Sequence, residues 1–299
     1  MTDVLRVDPE VAAALGARRP VVALETTLVA HGFPRGEGAA VARECERRVR
    51  DEGAVPATIG LVDGVIRVGL DEAELDRFGG SPDARKVGPR DLAACVAQKA
   101  LGATTIGGTL AVCRLVGVGF MATGGLGGVH RDFARTLDVS ADIGELARTE
   151  ALVVAAGAKS ILDVSATAEL LESVGIPVLG WRTDELPLFY RAGGGARVSA
   201  RVDSVDEAAL IAWLHWELGR TSAVVVARPP RDSLDVEPLI EEGVREADRR
   251  GVRGGDVTPF VLSYLHEASG GRTIEANRRL VSDNATLAAE LAVAYSRLE

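Results

Sequence analysis

The sequence predicts an α/β fold: one large α/β/α layered domain, residues 1–299, on a mixed, mainly parallel sheet. Short continuous apolar runs of strand length alternate with longer stretches of helical periodicity, as expected for strands buried on both faces and joined by crossover helices. Hydrophobic residues make up 47% of the chain and aromatic ones only 4%, so Ala, Val, Leu and Gly build the core, which suits helices packed closely on a sheet. No internal repeat, low-complexity linker or charge block interrupts the alternation.

The first buried strand is VVALE, residues 21–25, and after the Gly/Pro-rich HGFPRGEG a helical pattern covers 39–52. ATIGLVDGVIRVGL holds two β-rich runs on either side of Asp63-Gly64, a dipeptide that suits a type I′ hairpin. A helix follows from Pro89 through DLAACVAQKALG, then TTIGGTLAVCRLVG as strand, turn and helix, then VGFMAT as a strand ending in GGLGGVH. ALVVAAG is a strand leading into a helix from Ser160, IPVLGW a short strand, and SAVVVARPP an apolar strand stopped by two prolines. Helices are predicted over 204–218, 235–250, 259–268 and 273–298. The stretch RAGGGAR, 191–197, reads either as a surface turn or as a lid near a site.

A net charge of −9 argues against nucleic acid as partner, since phosphate-polymer binding needs a broad basic footprint. A small phosphorylated ligand is compatible, because a few local cations hold one phosphate. Cys45, Cys95 and Cys113 are odd in number, far apart and without CxxC spacing, so they read as small buried hydrophobes. The start MTDVLRVDPE lacks a basic region followed by an apolar one, and the longest apolar stretch, around 104–128, is broken by Arg114 and glycines. The expectation is a cytoplasmic protein with no membrane partner.

Polar groups stand at the C-terminal ends of several predicted strands, where open α/β sheets place their ligands. Glu25 ends its strand and is followed by Thr26 and Thr27. A partly desolvated carboxylate there suits general acid or base work, and a capping or salt-bridged Glu25 is the other reading. His31, beside Gly32, reads first as a packing residue. The glycines of GGLGGVH permit either an anion cradle or tight packing; they do not form GxGxxG, and no acidic residue at the right distance supports NAD. Asp138 and Asp142 are four apart, so a helix starting there sets both carboxylates on one face with Ser140 between them. Such hard oxygen ligands suit Mg or Mn rather than zinc, and a helix cap with acidic first-turn residues competes with that reading.

Of 34 cationic side chains only Lys86, Lys99 and Lys159 are lysines, and only a lysine can be deprotonated to attack as an amine. Lys159 follows ALVVAAGA at the expected tip of a buried central strand, where desolvation favours the neutral amine; a paired structural lysine is the alternative. Lys86 lies in a loop with Arg85 and Arg90, a compact cationic group able to grip a phosphate or simply a solvated loop. Lys99 reads as solvated on a helix face.

The segments ALETTLVAHGFP, GAVPATIGLVDGVIRVGL, KVGPRDL, GATTIGGT, FMATGGLGGVHR, DVSADIGEL, AGAKSILD, TPFVL and DNATLAAE, in this order over nearly the whole chain, resemble the pseudouridine-5'-phosphate glycosidases, also described as indigoidine synthase A-like proteins. The resemblance implies reversible conversion of pseudouridine 5'-phosphate and water into uracil and ribose 5-phosphate by a homotrimer. It also implies dependence on Mn2+, with Mg2+ or another divalent ion as alternatives, and functional coupling to a sugar or pseudouridine kinase. By residue matching it implies Glu25 as proton donor, Lys159 as nucleophile, Lys86 at the phosphate, Ile106 and Ser140-Ala141-Asp142 as substrate contacts and Asp138 at the metal. Thr105, Thr123, His130 and Asn284 then belong around the substrate.

Such a set makes chemical sense. Cleaving a carbon–carbon glycoside requires a proton for the base carbon, which keeps the bond electrons, and stabilisation of the electron-poor sugar carbon, which a lysine imine with ring-opened ribose supplies. A lysine-dependent lyase or aldolase on another sugar phosphate, and a non-catalytic nucleotide-binding protein, remain as other readings. Three segments depart from the family pattern. Arg35-Gly36-Glu37-Gly38 replaces a Pro-Tyr-Pro-type stretch with an Asn, predicting a looser loop with added negative charge; Asp283 stands where Asn commonly precedes Asn284; and ARPPRD replaces an NPIP-like run.

Overall fold

The computed structural model describes residues 4–131, 133–253 and 257–298, so both ends of the predicted 1–299 domain lie outside the described residues. The chain opens with β1 (Leu5–Val7) and α1 (Pro9–Gly16), whose N-cap Asp8 and leading proline mark its start. β2 (Val21–Glu25) is buried along its whole length and runs into the short α2 (Thr27–His31) and then α3 (Glu37–Asp51). β3 (Val55–Val62) and β4 (Val65–Val68) form the expected hairpin; Asp63 and Gly64 have φ of 53° and 82°, as a type I′ turn requires.

α4 (Glu72–Gly80) carries a complete capping box between Asp71 and Glu74 and leads to β5 (Arg85–Val87). A 3-10 turn (Pro89–Asp91) joins α5 (Leu92–Ala97), so the predicted helix ends before Lys99, which lies exposed in the following turn at φ 50°. Next come β6 (Gly102–Thr104), α6 (Ile106–Val116), β7 (Phe120–Ala122), α7 (Phe133–Thr136), α8 (Ala141–Leu146) and β8 (Leu152–Ala155). α9 (Val164–Ser173) starts at its Asp163 cap rather than at Ser160. β9 (Val178–Trp181), β10 (Ala200–Val202), α10 (Val205–Glu217), β11 (Val224–Ala227), α11 (Glu237–Arg249), α12 (Val257–Ala268) and α13 (Arg272–Tyr295) complete the chain.

Among the described residues, eleven strands form one sheet with the order β1-β4-β3-β2-β7-β8-β11-β9-β10, and β6 and β5 branch from β3. From β3 to β10 every pairing is parallel; only β3–β4 and β3–β6 are antiparallel. The fold is therefore the predicted single α/β domain with a mixed, mainly parallel sheet.

The branch arises because β3 is longer than β2. β2 pairs with β3 only as far as Glu25↔Ile59, and beyond it β6 takes up Gly60 and Leu61. β5 and β6 thus stand above the end of β2. A buried threonine cluster closes the seam: Thr26 Oγ1 and Thr104 Oγ1 both donate to the Ile59 carbonyl at 2.7 Å, and Thr109 Oγ1 donates to Thr104. These polar groups could not be buried so fully without one another.

The crossover from β2 through α3 to β3 runs one way along the sheet, and that from β7 through α8 to β8 runs the other way. Right-handed connections therefore put α3 and α8 on opposite faces. α13 lies on the α3 face across β2, β7 and β8, flanked by α3 and α10, while α6 packs with α8. Strand order reverses between β2 and β7, and the crevice at their C-terminal ends is the topological switch point of the sheet.

Candidate active site

Most of the sequence-derived candidates gather at that crevice. Glu25 closes β2 with only 8% of its surface exposed and accepts a short hydrogen bond from Thr123 Oγ1, just past the end of neighbouring β7. Burial pushes the Glu25 carboxyl above the ordinary carboxylate range; the Lys159 ammonium and the Thr123 hydroxyl oppose this, Asp142 adds to it, and Lys86 opposes it more weakly. The capping and salt-bridge readings of Glu25 therefore give way to a buried acid within the electrostatic reach of both lysines.

Lys159 is not the buried strand tip that the sequence suggests. β8 ends at Ala155, and the lysine lies four residues beyond it, half-buried. Its position is fixed because β7 and β8 keep pairing irregularly past their ends. Ala156 N–H donates to the Gly124 carbonyl (2.9 Å), Leu126 N–H to Gly157 (2.9 Å) and Lys159 N–H to Leu126 (3.1 Å). A half-buried lysine is thus held on a fixed backbone at the crevice.

GGLGGVH forms the other side of this irregular ladder, and its glycines serve packing. A Cβ on Gly127 would lie 2.3 Å from Ser140 Oγ and 2.5 Å from Asp142 Oδ2. Ser140 caps α8 by accepting from the Asp142 N–H (3.2 Å), and Asp142, 5% exposed, accepts from Gly107 N–H (2.8 Å) in the first turn of α6. Gly127→Ala must displace both groups, and a misplacement near 1 Å costs roughly 100-fold in rate. Steady-state kinetics on a folded Gly127→Ala protein should show that loss in kcat.

Asp138 and Asp142 do not share a helix face, because α8 begins only at Ala141. Asp138 sits instead beside His130: its carbonyl accepts from His130 N–H (3.0 Å), and its Oδ2 lies 3.9 Å from His130 Nδ1. Burial lowers the His130 pKa, Asp138 opposes, and Lys86 and Lys159 reinforce the lowering. No group of three His, Cys, Asp or Glu side chains among the described residues is placed to hold a metal. One part-exposed carboxylate fits a hard cation that keeps most of its water, as Mg or Mn does, and does not fit zinc.

Thr105 and Ile106 open α6. The Thr105 hydroxyl accepts the N-cap bond from Gly108 N–H (3.1 Å) and keeps its own O–H to donate, and the Ile106 side chain is in the core, so a ligand contact from Ile106 must come from its backbone. Ala141 is exposed at the start of α8. Asn284, fully buried on α13, donates to the carbonyls of Thr123 (2.8 Å) and Gly124 (3.4 Å), and its Oδ1 has no partner among the described residues.

The expected cationic group around Lys86 is split by strand alternation. Arg85 points away to Gln98 (2.5 Å) and Arg90 to Asp91 (3.5 Å), while the charge of Lys86 reaches Glu25, His31 and His130. Stretch 191–197 is a partly buried turn tied down at two points: Gly194 N–H donates to Glu185 (2.7 Å) and Ala192 N–H to Ser233 (3.0 Å).

The departures are accommodated rather than loosened. Arg35 donates to the Gly80 carbonyl (2.9 Å), Gly36 N–H to Gly79 (2.9 Å), and Glu37 pairs with Arg278 of α13 (3.0 Å), which balances its charge. The other two compensate each other: Asp283 is gripped by Arg231 through two bonds of 2.7 and 2.8 Å and by Arg228 at 3.1 Å, the latter two both from ARPPRD. Asp283→Asn restores the family residue yet leaves a largely buried Arg228 facing Arg231. We expect about 1–3 kcal/mol of lost stability, read as a lower urea midpoint at unchanged slope.

Residues 10–294 match the family model described as indigoidine synthase A like protein. The chain is 45% identical to a pseudouridine-5'-phosphate glycosidase of Geobacillus kaustophilus (strain HTA426), covering 98% of this chain and 99% of the relative. It is 43% identical to one of Glaesserella parasuis serovar 5 (strain SH0165), covering 99% of both. Among solved structures, the prealnumycin C-glycosynthase AlnA in complex with ribulose 5-phosphate superposes with a TM-score of 0.90 at 38% identity, over 99% of this chain and 98% of that one. An indigoidine synthase A-like protein of Thermotoga maritima superposes with a TM-score of 0.89 at 36% identity, over 98% and 97%. With matches of this extent, the chain belongs to the indigoidine synthase A-like family of enzymes, and the curated relatives it resembles are named pseudouridine-5'-phosphate glycosidases.

Proposed function

We propose that the chain cleaves, reversibly, the bond between uracil carbon and ribose C1 in pseudouridine 5'-phosphate, giving uracil and ribose 5-phosphate with the uptake of water. The observation that carries this reading is the convergence of a buried acid, Glu25, and a half-buried lysine, Lys159, within one another's field at the switch point. Glu25 promotes ring opening and proton delivery; Lys159 attacks sugar C1, and when the bond to uracil breaks its electron pair stays on the uracil carbon while the lysine nitrogen lone pair closes the imine to C1. Water then releases ribose 5-phosphate and restores the amine. Uracil leaves with a proton on the carbon that held the sugar.

The other groups bind and orient. Lys86 neutralises the phosphate; Thr123 holds Glu25 in place; Asp142 and His130 flank the sugar; Asn284 offers its unpartnered Oδ1. The start of α6 at Thr105-Ile106 and of α8 at Ser140-Ala141 supply backbone amides. Asp138 would hold one divalent ion, Mn2+ in our reading with Mg2+ or another as alternatives. When bound, that ion would orient substrate and ordered water.

We further propose a cytoplasmic homotrimer that works with a sugar or pseudouridine kinase; no helix among the described residues is long and apolar enough to cross a membrane. A second reading, a carbon–carbon lyase or synthase on another sugar phosphate, draws support from the C-glycosynthase whose structure holds ribulose 5-phosphate.

The deciding experiment follows uracil with purified protein and pseudouridine 5'-phosphate, pseudouridine or uridine 5'-phosphate, with manganese and with chelator. Turnover of the first alone, lost on chelation, is the expected result. Absence of turnover in folded, metal-loaded protein would hand the assignment to the second reading, and binding without turnover of any sugar phosphate to a binding protein.

A further inference from the structure

His31 ends α2 one turn beyond Thr27 and so lies on the same helix face. That face meets the β5–β6 branch: Thr27 Oγ1 donates to the Ala103 carbonyl at 3.0 Å, and the imidazole feels the backbone of Ala84, the residue before β5. Ala103 is the register partner of Lys86, and the charge of Lys86 reaches the imidazole.

Nε2 of His31 is shut off from solvent and has no hydrogen-bond partner among the described residues. Nε2 is thus left as the unpartnered ring position. Burial lowers the pKa of the ring, the Ala84 backbone opposes this and Lys86 reinforces the lowering; among the described residues, Lys86 is the charged group whose field reaches it. An unsatisfied buried nitrogen within the field of the candidate phosphate lysine calls for a ligand.

We propose that His31 is a phosphate-positioning residue: its Nε2 shares one proton with an oxygen of the substrate's phosphate monoester, alongside Lys86. The second proton of a phosphate monoester has a pKa of about 6. The ester can therefore arrive as a monoanion and donate its O–H to Nε2, or as a dianion while the ring takes a proton from water. Both routes give the same complex. The inference rests on reading this crevice as a sugar-phosphate site.

Calorimetric titration with ribose 5-phosphate tests it on the wild type, His31→Ala and His31→Gln, with melting curves to establish folding. His31→Ala should weaken binding by roughly 10- to 100-fold, the weight of a charge-assisted hydrogen bond. His31→Gln keeps a donor and should recover part of that loss, and kcat on pseudouridine 5'-phosphate should stay within about threefold in both variants. Unchanged affinity in His31→Ala, a folded Gln variant no better than Ala, or a wild type that does not bind ribose 5-phosphate would each overturn the proposal. A wild type that binds ribose 5-phosphate without cleaving pseudouridine 5'-phosphate defeats the glycosidase reading alone and leaves His31 to be judged by affinity.

Discussion

Replacing Lys159 by Arg should leave the protein folded and cut uracil release by roughly 10,000-fold or more, the scale of losing a covalent nucleophile. Arginine keeps the positive charge near Glu25, so the electrostatics of the crevice change little. What it lacks is a neutral amine, because a guanidinium does not give up its proton in a protein. The half-buried position of Lys159 accommodates the longer side chain at its solvent side. Treating wild-type protein with ribose 5-phosphate and borohydride, then measuring peptide masses, should put one reduced adduct on Lys159 and none on the variant. A stable adduct on any other residue would transfer the nucleophile's role to it.

Glu25→Gln should move activity and stability in opposite directions. Gln still accepts the Thr123 hydrogen bond but cannot deliver a proton, so kcat should fall by roughly 100- to 10,000-fold. The stability effect follows from the raised pKa. A carboxyl that binds its proton more tightly folded than unfolded contributes fully below its unfolded pKa and loses that contribution as pH rises through the folded one. The amide removes that loss, and at neutral pH the variant should be more stable by about 0.5–2 kcal/mol. The same titration sets activity: wild-type kcat/KM should decline as pH rises through the Glu25 pKa, and the residual activity of the variant should lack that limb. A variant that loses stability would mean that the carboxylate is a structural partner rather than a buried acid.

The long apolar strands were legible because burial on both faces leaves no polar residue to confuse the pattern. Residues 21–25 match β2 as predicted. The Asp63-Gly64 hairpin was legible because only a few residue pairs tolerate two positive φ angles. β1, β5 and β10 are three-residue strands with mixed exposure, too short for a period to show. α4 had a visible signal, Asp71 three before Glu74, as did α9 with Asp163.

In the site, residue types at strand ends pointed to Glu25 and Lys159, while Thr123 entered only through the family resemblance, and their relations did not follow from spacing. Asp138 and Asp142 are separated by a helix that starts late, and Arg85 and Lys86 by the pleat of a strand whose pairing with β6 comes from tertiary context. The unpartnered Nε2 of His31 has no sequence signature.

α13 ties Asn277 to the Gly32 carbonyl across 245 residues, Arg278 to Glu37 across 241 and Asn284 to Thr123 across 161. On the ribosome, the sheet is therefore synthesised long before the helix that covers one of its faces. Until α13 emerges, β2, β7 and β8 present an apolar surface with no native cover, the kind of species that slows folding and invites aggregation. The crevice and the core are completed in the same late step, so a nascent chain that has not docked α13 lacks both its stability and its chemistry.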